Sequence, residues 1–116
     1  MNLSTRQLNG FLVATLEEPR LDAAISTRFK DRMREVVASG GSVILLDLSM
    51  VDFMDSSGLG AVIAARKALP EGRRIEIAGL TPNVQRVFKL TRMDSIFTIH
   101  PDLAAVVPEE TQKGPS

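Results

Sequence analysis

The sequence contains no cysteine, no tryptophan and no tyrosine, and each absence excludes a class of protein chemistry. Without cysteine the chain has no disulfide, no thiolate nucleophile and no cysteine ligand for zinc. Such a composition is typical of a reducing compartment, so we expect a cytoplasmic protein. Without tryptophan and tyrosine, few aromatic faces remain on which nucleic-acid bases would stack.

Neither sign of charge is in excess, because the 116 residues include 14 Lys plus Arg and 14 Asp plus Glu. Nucleic-acid binders carry a basic surplus that displaces counterions from phosphates, so we expect no nucleic-acid partner. The longest strongly apolar run, residues 43–46, is too short to span a bilayer. The first residues are polar, unlike those of a signal peptide. We therefore also expect no membrane insertion.

Apolar runs alternate along the chain with amphipathic segments. Strands are predicted at residues 3–8, 11–16, 43–48, 74–77 and 97–99, and helices at 23–39, 59–69, from 81 onward and at 101–107. Asn9-Gly10 predicts a hairpin turn between the first two strands, since both residues accept positive φ. This order predicts one α/β domain over residues 1–107, with a mixed, mostly parallel sheet, an N-terminal hairpin and about four helices. Residues 108–116 are predicted to form a loose tail.

The segment Asp55-Ser56-Ser57-Gly58 follows a predicted buried strand and opens the second helix. It is therefore expected at the carboxyl end of the sheet, where open α/β folds present their sites. Asp55 or Ser56 is suited to cap that helix, as Asp22 is suited to cap the first. Gly58 and Gly60 lack side chains, so another molecule would be able to approach the backbone. The same residue types also make an ordinary helix cap with no further role.

The segment Phe53-Met54-Asp55-Ser56-Ser57-Gly58-Leu59-Gly60 resembles the signature of the STAS-domain anti-sigma factor antagonists of bacteria. In that family the second serine of Asp-Ser-Ser-Gly is phosphorylated by a partner that is both anti-sigma factor and serine kinase, with a histidine-kinase-like ATPase fold. The resemblance implies that Ser57 is the phosphate acceptor. It also implies that the unphosphorylated protein binds the kinase and releases a sigma factor, and that a PP2C-type phosphatase reverses the phosphorylation.

The resemblance extends over nearly the whole chain and implies the STAS fold. Residues 20–24 resemble the family's Gly-x-Leu-Asp element, whose aspartate, Asp22 here, lies near the phosphorylation loop. Residues 87–97 resemble its C-terminal helix-to-strand segment. Two positions depart from the family pattern: Pro19 stands where glycine is usual before Leu-Asp, and Arg92 stands where glycine is common after the third helix.

The family match implies a regulated binding protein with no enzymatic activity and no cofactor. Ser57 is expected to accept phosphate, with Asp22 and Met54 flanking the loop in the partner interface and Met54 exposed. The remaining residues expected to shape this loop and contact the partner are Asp55, Ser56, Gly58 and Leu59.

The alternative is a constitutive STAS subunit, resembling the cytoplasmic component of bacterial lipid-transport ABC complexes. In such a subunit the same helix start would pack against a transporter subunit, and no phosphate would be involved.

Other chemistry has weaker support in the sequence. His100 is the only histidine, so a histidine-based metal site has little to build on. A nucleophilic pair of Ser57 with His100 would lack the Gly-x-Ser-x-Gly elbow. Asp47, Asp52 and Asp55 would either line a cation site or, as we expect of Asp beside strand ends, cap local turns.

Overall fold

The computed structural model describes residues 1–106, so the predicted tail at 108–116 lies outside the described part. Within it, the strands and helices alternate along the chain. The strands are β1 (Leu3–Leu8), β2 (Phe11–Leu16), β3 (Arg20–Leu21), β4 (Val43–Asp47), β5 (Phe53–Met54), β6 (Arg74–Ala78) and β7 (Thr98–His100). The α-helices are α1 (Ser26–Ala38), α2 (Ser56–Lys67) and α3 (Pro82–Leu90).

Five of the strands form one sheet in the order β1-β2-β4-β6-β7. The pair β1–β2 is antiparallel and the other three pairs are parallel, which confirms the predicted mixed sheet with an N-terminal hairpin. Asn9 and Gly10 have φ values of 48° and 85°, as the predicted hairpin turn requires. Since β2, β4, β6 and β7 run parallel and end at the same edge, the loops that follow them are gathered there.

The central strand β4 is buried on both faces, as its continuous apolar run predicts. Ile44 and Leu46 pack in the main core, which also includes Phe29 of α1 and Val62 of α2. Leu45 lies in a second, smaller cluster on the other side. That cluster consists of Val13, Leu45 and Ala78, covered by Leu8, Phe11, Leu103 and Val106.

The structure corrects three predicted elements. The described residues contain three α-helices instead of about four, because the segment predicted as the last helix forms only a 3-10 turn at Leu103–Ala105. Helix α1 begins at Ser26 instead of residue 23. Helix α2 begins at Ser56, before the predicted residue 59. The short parallel pair of β3 and β5 was not predicted at all.

The departure at Arg92 leaves the turn after α3 intact. Arg92 adopts the left-handed conformation with φ 64° and ψ 19°, which glycine adopts without steric cost. Its N–H donates to the carbonyl of Lys89 at 3.2 Å, so the helix still ends in a hydrogen-bonded turn. Arginine therefore occupies a backbone conformation that favours glycine.

Candidate functional site

The motif Asp55-Ser56-Ser57-Gly58 forms the N-terminus of α2. Asp55 is the N-cap in extended conformation, and its Oδ1 accepts a hydrogen bond from the Gly58 N–H at 2.9 Å. This confirms Asp55 as the cap and leaves the serines in the first turn, both exposed. The first N–H groups of a helix lack partners within the helix and carry the positive end of its dipole. The exposed hydroxyl of Ser57 thus sits where a negative group is tolerated.

A second loop lies beside the serines, held by the two-residue pair of β3 and β5. Leu21 pairs with Met54 in this pair. The carbonyl of Leu21 accepts from the Asp55 N–H at 3.4 Å, and Oδ2 of Asp55 accepts from the Ala23 N–H at 3.3 Å. Asp55 therefore both caps α2 and ties the loop after β3 to it, so the family's aspartate, Asp22, and the serine motif lie close together.

Gly58 also holds these two loops together. A Cβ placed on Gly58 would lie 2.0 Å from the carbonyl oxygen of Leu21. The close approach at Gly58 is therefore made by the chain itself, which corrects the expectation that another molecule approaches the backbone there. At Gly60, which is exposed, a Cβ would meet no atom within 4 Å, so that position stays open to a partner.

Asp22 has a different role from the predicted helix cap. Its Oδ1 accepts from the Ala24 N–H at 3.1 Å and its Oδ2 from Arg20 Nε at 3.1 Å, which leaves α1 with Ile25 as an N-cap without a side-chain bond. The hydrogen bond from Arg20 has the largest effect and lowers the pKa of Asp22; burial opposes it, and the hydrogen bond from the Ala24 N–H lowers the pKa further. Asp22 is therefore a stable negative charge beside the serine motif.

The structure buries three of the residues expected at the partner interface. Met54 is 4% exposed, which corrects the expectation that it is exposed, and Leu59 is 7% exposed. Gly58 is buried as well. These residues face inward because β5 presents Met54 to the core. Helix α2 begins two residues later and packs against Leu21 of β3 through Gly58. Their contribution to a surface is indirect, through the shape of the loop.

Two apolar residues that were not expected in the site from the sequence are exposed, Phe53 directly before Met54 and Met50 in the loop after β4. Phe53 is 40% exposed and Met50 is 55% exposed. The guanidinium of Arg20 lies 4.2 Å from the centre of the Phe53 ring, a cation–π contact. The sequence did contain a signal for the exposure of Phe53. Successive side chains of a strand point to opposite faces, so if Met54 faces the core, Phe53 must face outward.

The other candidates from the sequence serve structural roles. Asp47 is buried, and its carboxylate accepts from the Ser49 N–H at 3.0 Å and from Thr15 Oγ1 at 3.2 Å, as a turn cap does. His100 Nε2 lies 2.8 Å from Oε1 of Glu76 and, within residues 1–106, forms no hydrogen bond with Ser57. Within residues 1–106, no three or more His, Asp or Glu side chains are grouped so that they could hold a metal ion. The cation-site hypothesis therefore has no support in that part of the chain.

None of the helices in residues 1–106 is both long and apolar enough to cross a membrane.

Known proteins resemble this chain in sequence and in fold. The sequence profile of the STAS domain matches residues 2–106. The anti-sigma-B factor antagonist of Listeria monocytogenes is 30% identical over 80 residues, covering 68% of this chain and 70% of the relative. The crystal structure of an anti-sigma factor antagonist from Mycobacterium paratuberculosis has a TM-score of 0.81 at 23% identity, covering 90% of this chain and 88% of that one.

A further similar structure is SpoIIAA, solved in two states. The unphosphorylated form has a TM-score of 0.69 at 20% identity, covering 90% of this chain and 93% of that one. The phosphorylated form from Bacillus has a TM-score of 0.64 at 18% identity, covering 90% and 96%. The profile match over residues 2–106 and the identity to the Listeria relative show that this chain belongs to the STAS domain family of anti-sigma factor antagonists.

Proposed function

We propose that this protein is an anti-sigma factor antagonist that is switched off by phosphorylation of Ser57. In the unphosphorylated form it binds an anti-sigma factor that is also a serine kinase of the histidine-kinase-like ATPase fold, and a sigma factor is released. A PP2C-type phosphatase restores the active form. The observation that carries this proposal is the exposed Ser57 hydroxyl in the first turn of α2, directly after the Asp55 cap.

The phosphoryl transfer itself requires little from this chain beyond an accessible hydroxyl. Oγ of Ser57 would attack the γ-phosphorus of ATP held by the kinase, the bond to the bridging oxygen would break, and ADP would leave. The hydroxyl proton would pass to a base of the kinase. The product is a phosphoserine with about −1.5 to −2 charge at pH 7. This chain therefore acts as a substrate and a binding protein, with no catalytic group of its own in the reaction.

The charge of the phosphate provides the physical reason for switching. At the start of α2 the phosphate meets free N–H groups and the positive end of the helix dipole, so the free domain tolerates it. In a closed interface the same group is bulky and costly to desolvate. The lowered pKa of Asp22 keeps a further negative charge in the adjacent loop at neutral pH. Phosphorylation thus adds charge to a surface that already has an anion, and binding is lost while the fold remains.

The partner surface would consist of the exposed residues around this helix start. Ser56 and Ser57 supply its polar centre, and Phe53 and Met50 supply apolar contacts at its edge. Asp22, which is partly exposed, flanks the surface on the other side. Met54, Gly58 and Leu59 would act from beneath by holding the loop in place. Since sigma factors act in the cytoplasm, this function would place the protein there.

The decisive experiment combines phosphorylation and binding with the anti-sigma factor kinase of the same organism. Incubation with kinase and ATP should add one phosphate, which mass spectrometry of the peptides should place on Ser57. Ser57→Ala should bind the kinase and resist phosphorylation, whereas Ser57→Asp should bind at least tenfold more weakly. Ser56→Ala is the matched control and should still be phosphorylated.

The outcomes also separate the proposal from its alternative. Phosphate on Ser56, or on neither serine, would disprove the assignment of the acceptor. Ser57→Asp binding its partner as tightly as the unmodified protein would favour a constitutive scaffold, such as a subunit of a lipid-transport complex.

A further inference from the structure

A groove of about 170 Å³ lies between helices α1 and α2, away from the serine motif. Met33 and Val37 of α1 line it together with Ala64 and Ala65 of α2 and with Ala68, the C-cap of that helix. An apolar cavity of about 150 Å³ holds a group of the size of benzene. The groove therefore has room for one apolar side chain and is too small for a long acyl chain.

The edge of this groove is basic. Lys30 and Arg34 line it, and no carboxylate does. Arg34 forms an ion pair with Asp31, but Lys30 forms no ion pair with any side chain of residues 1–106. A ligand for this groove should accordingly carry an apolar side chain next to negative charge.

Basic residues also outnumber acidic ones over the whole of α1 and α2, although the entire chain has no net charge. Helices α1 and α2 carry six basic and two acidic residues. The basic residues are Arg28, Lys30, Arg32, Arg34, Arg66 and Lys67, and the acidic ones are Asp31 and Glu35. Of these, Lys30 and Arg34 are four residues apart on α1 and share the face at the groove. Because complementary potentials steer association and select partners, this edge favours an acidic protein segment.

The groove is continuous with the proposed partner surface along α2. Ser57, Gly60 and Ala64 follow one another at intervals of three and four residues, so they share one face of the helix. Ser57 and Ala64 are separated by roughly 10 Å along the axis, at 1.5 Å per residue. A standard interface covers about 800 Å² per partner, which corresponds to a disc of roughly 16 Å radius. A partner centred on Ser57 would thus reach the groove.

We infer that the groove between α1 and α2 receives an apolar side chain from an acidic segment of the anti-sigma factor. This inference rests on the proposed function, because the occupant belongs to the same partner that docks at Ser57. The exposed, open position at Gly60 lets the partner backbone pass from the serine motif to the groove. Lys30 then neutralises an acidic side chain of the segment at the edge of the groove.

Two substitutions test the inference by titration calorimetry with the unphosphorylated protein and the anti-sigma factor kinase. Ala64→Leu fills the groove and should weaken binding at least tenfold. Lys30→Glu reverses the charge at its edge and should weaken binding several-fold, less so at high salt because salt screens exposed charges. Arg86→Glu is the matched charge reversal on exposed α3 and should leave the affinity unchanged.

A measurement on the protein without substitutions guards against misfolded variants. With ¹³C-methyl-labelled methionine, Met33 reports on the groove and Met54 reports on the strand that leads into the serine loop. Met50 lies in the loop after β4, and Met93 lies in the 3-10 turn after α3. Addition of the unlabelled kinase should shift the Met33 signal together with those of the loop. Vesicles of equal parts phosphatidylcholine and phosphatidylglycerol should leave Met33 unchanged.

The outcomes distinguish this inference from the function on which it rests. If Ser57→Asp abolishes binding while both groove variants bind normally and Met33 does not shift, the groove assignment is wrong and the proposed function stands. If the vesicles shift Met33, the groove takes a lipid surface and the inference of a protein segment is overturned. If the protein binds no anti-sigma factor at all, both fail together.

Discussion

The carbonyl oxygen of Leu21 lies where a side chain at residue 58 would begin, 2.0 Å from the position of its Cβ atom. Leu21 ends β3 and Gly58 belongs to the first turn of α2, so this contact presses the loop of Asp22 against the serine motif. The neighbouring hydrogen bonds of Asp55 reinforce it. The geometry of the proposed phosphorylation site thus depends on the absence of one side chain.

We therefore predict that Gly58→Ala destabilises the protein although alanine is the better helix former. Overpacking typically costs about 1–3 kcal/mol and more where the obstructing atom belongs to the backbone, as Leu21 O does here. The loss should appear as a melting temperature lower by about 4 °C or more. Thermal unfolding followed by circular dichroism measures it.

Gly60→Ala is the matched control on the same helix. A Cβ at residue 60 meets no atom within 4 Å, so alanine should stabilise the helix by about 0.5–1 kcal/mol. Equal melting temperatures for the two variants would mean that residue 58 is not in tight contact with Leu21.

Phosphorylation of Ser57 should leave the stability of the free domain nearly unchanged. The phosphate gains about 0.3–1 kcal/mol from the helix N-terminus, and repulsion by the nearby carboxylate of Asp55 opposes this gain to a similar extent. Phosphorylated and unmodified protein should melt within about 4 °C of each other. Amide NMR shifts should be confined to residues 52–62 and to the loop of Asp22.

Shifts spread over the whole sheet, or a large fall in melting temperature, would show that the switch works by refolding. Ser57→Ala carried through the same kinase reaction serves as the control for changes that do not depend on the phosphate.

Glu76 should contribute to the loss of stability in acid. It is buried, its Oε2 accepts from Arg74 Nε at 2.7 Å and its Oε1 lies 2.8 Å from His100 Nε2. Burial raises the pKa of Glu76, but the hydrogen bonds and charges of Arg74 and His100 together outweigh it, so the pKa lies below its ordinary 4.5. The unfolded chain then binds the proton more readily, and the stabilisation present above pH 4.5 is lost as the pH falls through the folded-state pKa.

Glu76→Gln should accordingly be less stable than the unmodified protein near pH 7, by about 1–3 kcal/mol. The difference should shrink as the pH falls below 4.5. Urea unfolding at a series of pH values measures both. Glu71→Gln, at an exposed position just before β6, is the control, and its free energy of unfolding should change with pH as that of the unmodified protein does. A constant difference between Glu76→Gln and the unmodified protein down to pH 3 would contradict the assigned pKa direction.

Arg92→Gly should stabilise the protein. A residue with a Cβ atom loses about 1–2 kcal/mol in the left-handed conformation, while glycine loses about 0.5–1 kcal/mol of chain entropy, so the net gain is up to about 1.5 kcal/mol. Chemical denaturation should show this gain. Arg92→Ala removes the guanidinium but keeps the Cβ, so it should show no such gain, and equal stability of the two variants would exclude the conformational explanation.

Local signals in the sequence were sufficient for much of the fold. Asn9-Gly10 adopts positive φ almost independently of its surroundings, so the hairpin was predictable. The apolar run of β4 indicated a strand buried on both faces. The residue types offered Asp55 or Ser56 as the cap of α2, and the structure selects Asp55. The resemblance to the STAS family rested on the motif around Ser57 and on residues 20–24 and 87–97.

Contacts between distant segments decided the rest. Strands β3 and β5 have two residues each, too few to show the alternation of apolar and polar residues by which a strand is predicted. They form because the loops after β2 and β4 meet through residues about 30 positions apart in the sequence. That pairing turns Met54 inward and Phe53 outward, a choice that alternation alone leaves open. In the same loop, the carboxylate of Asp22 accepts hydrogen bonds from Arg20 and from the Ala24 N–H, and it does not cap the start of α1. The sequence by itself determined the longer strands, the three α-helices and the serine motif. Tertiary packing decided the β3–β5 pair and which neighbours of the motif reach the surface, because burial depends on what a distant segment brings against each face.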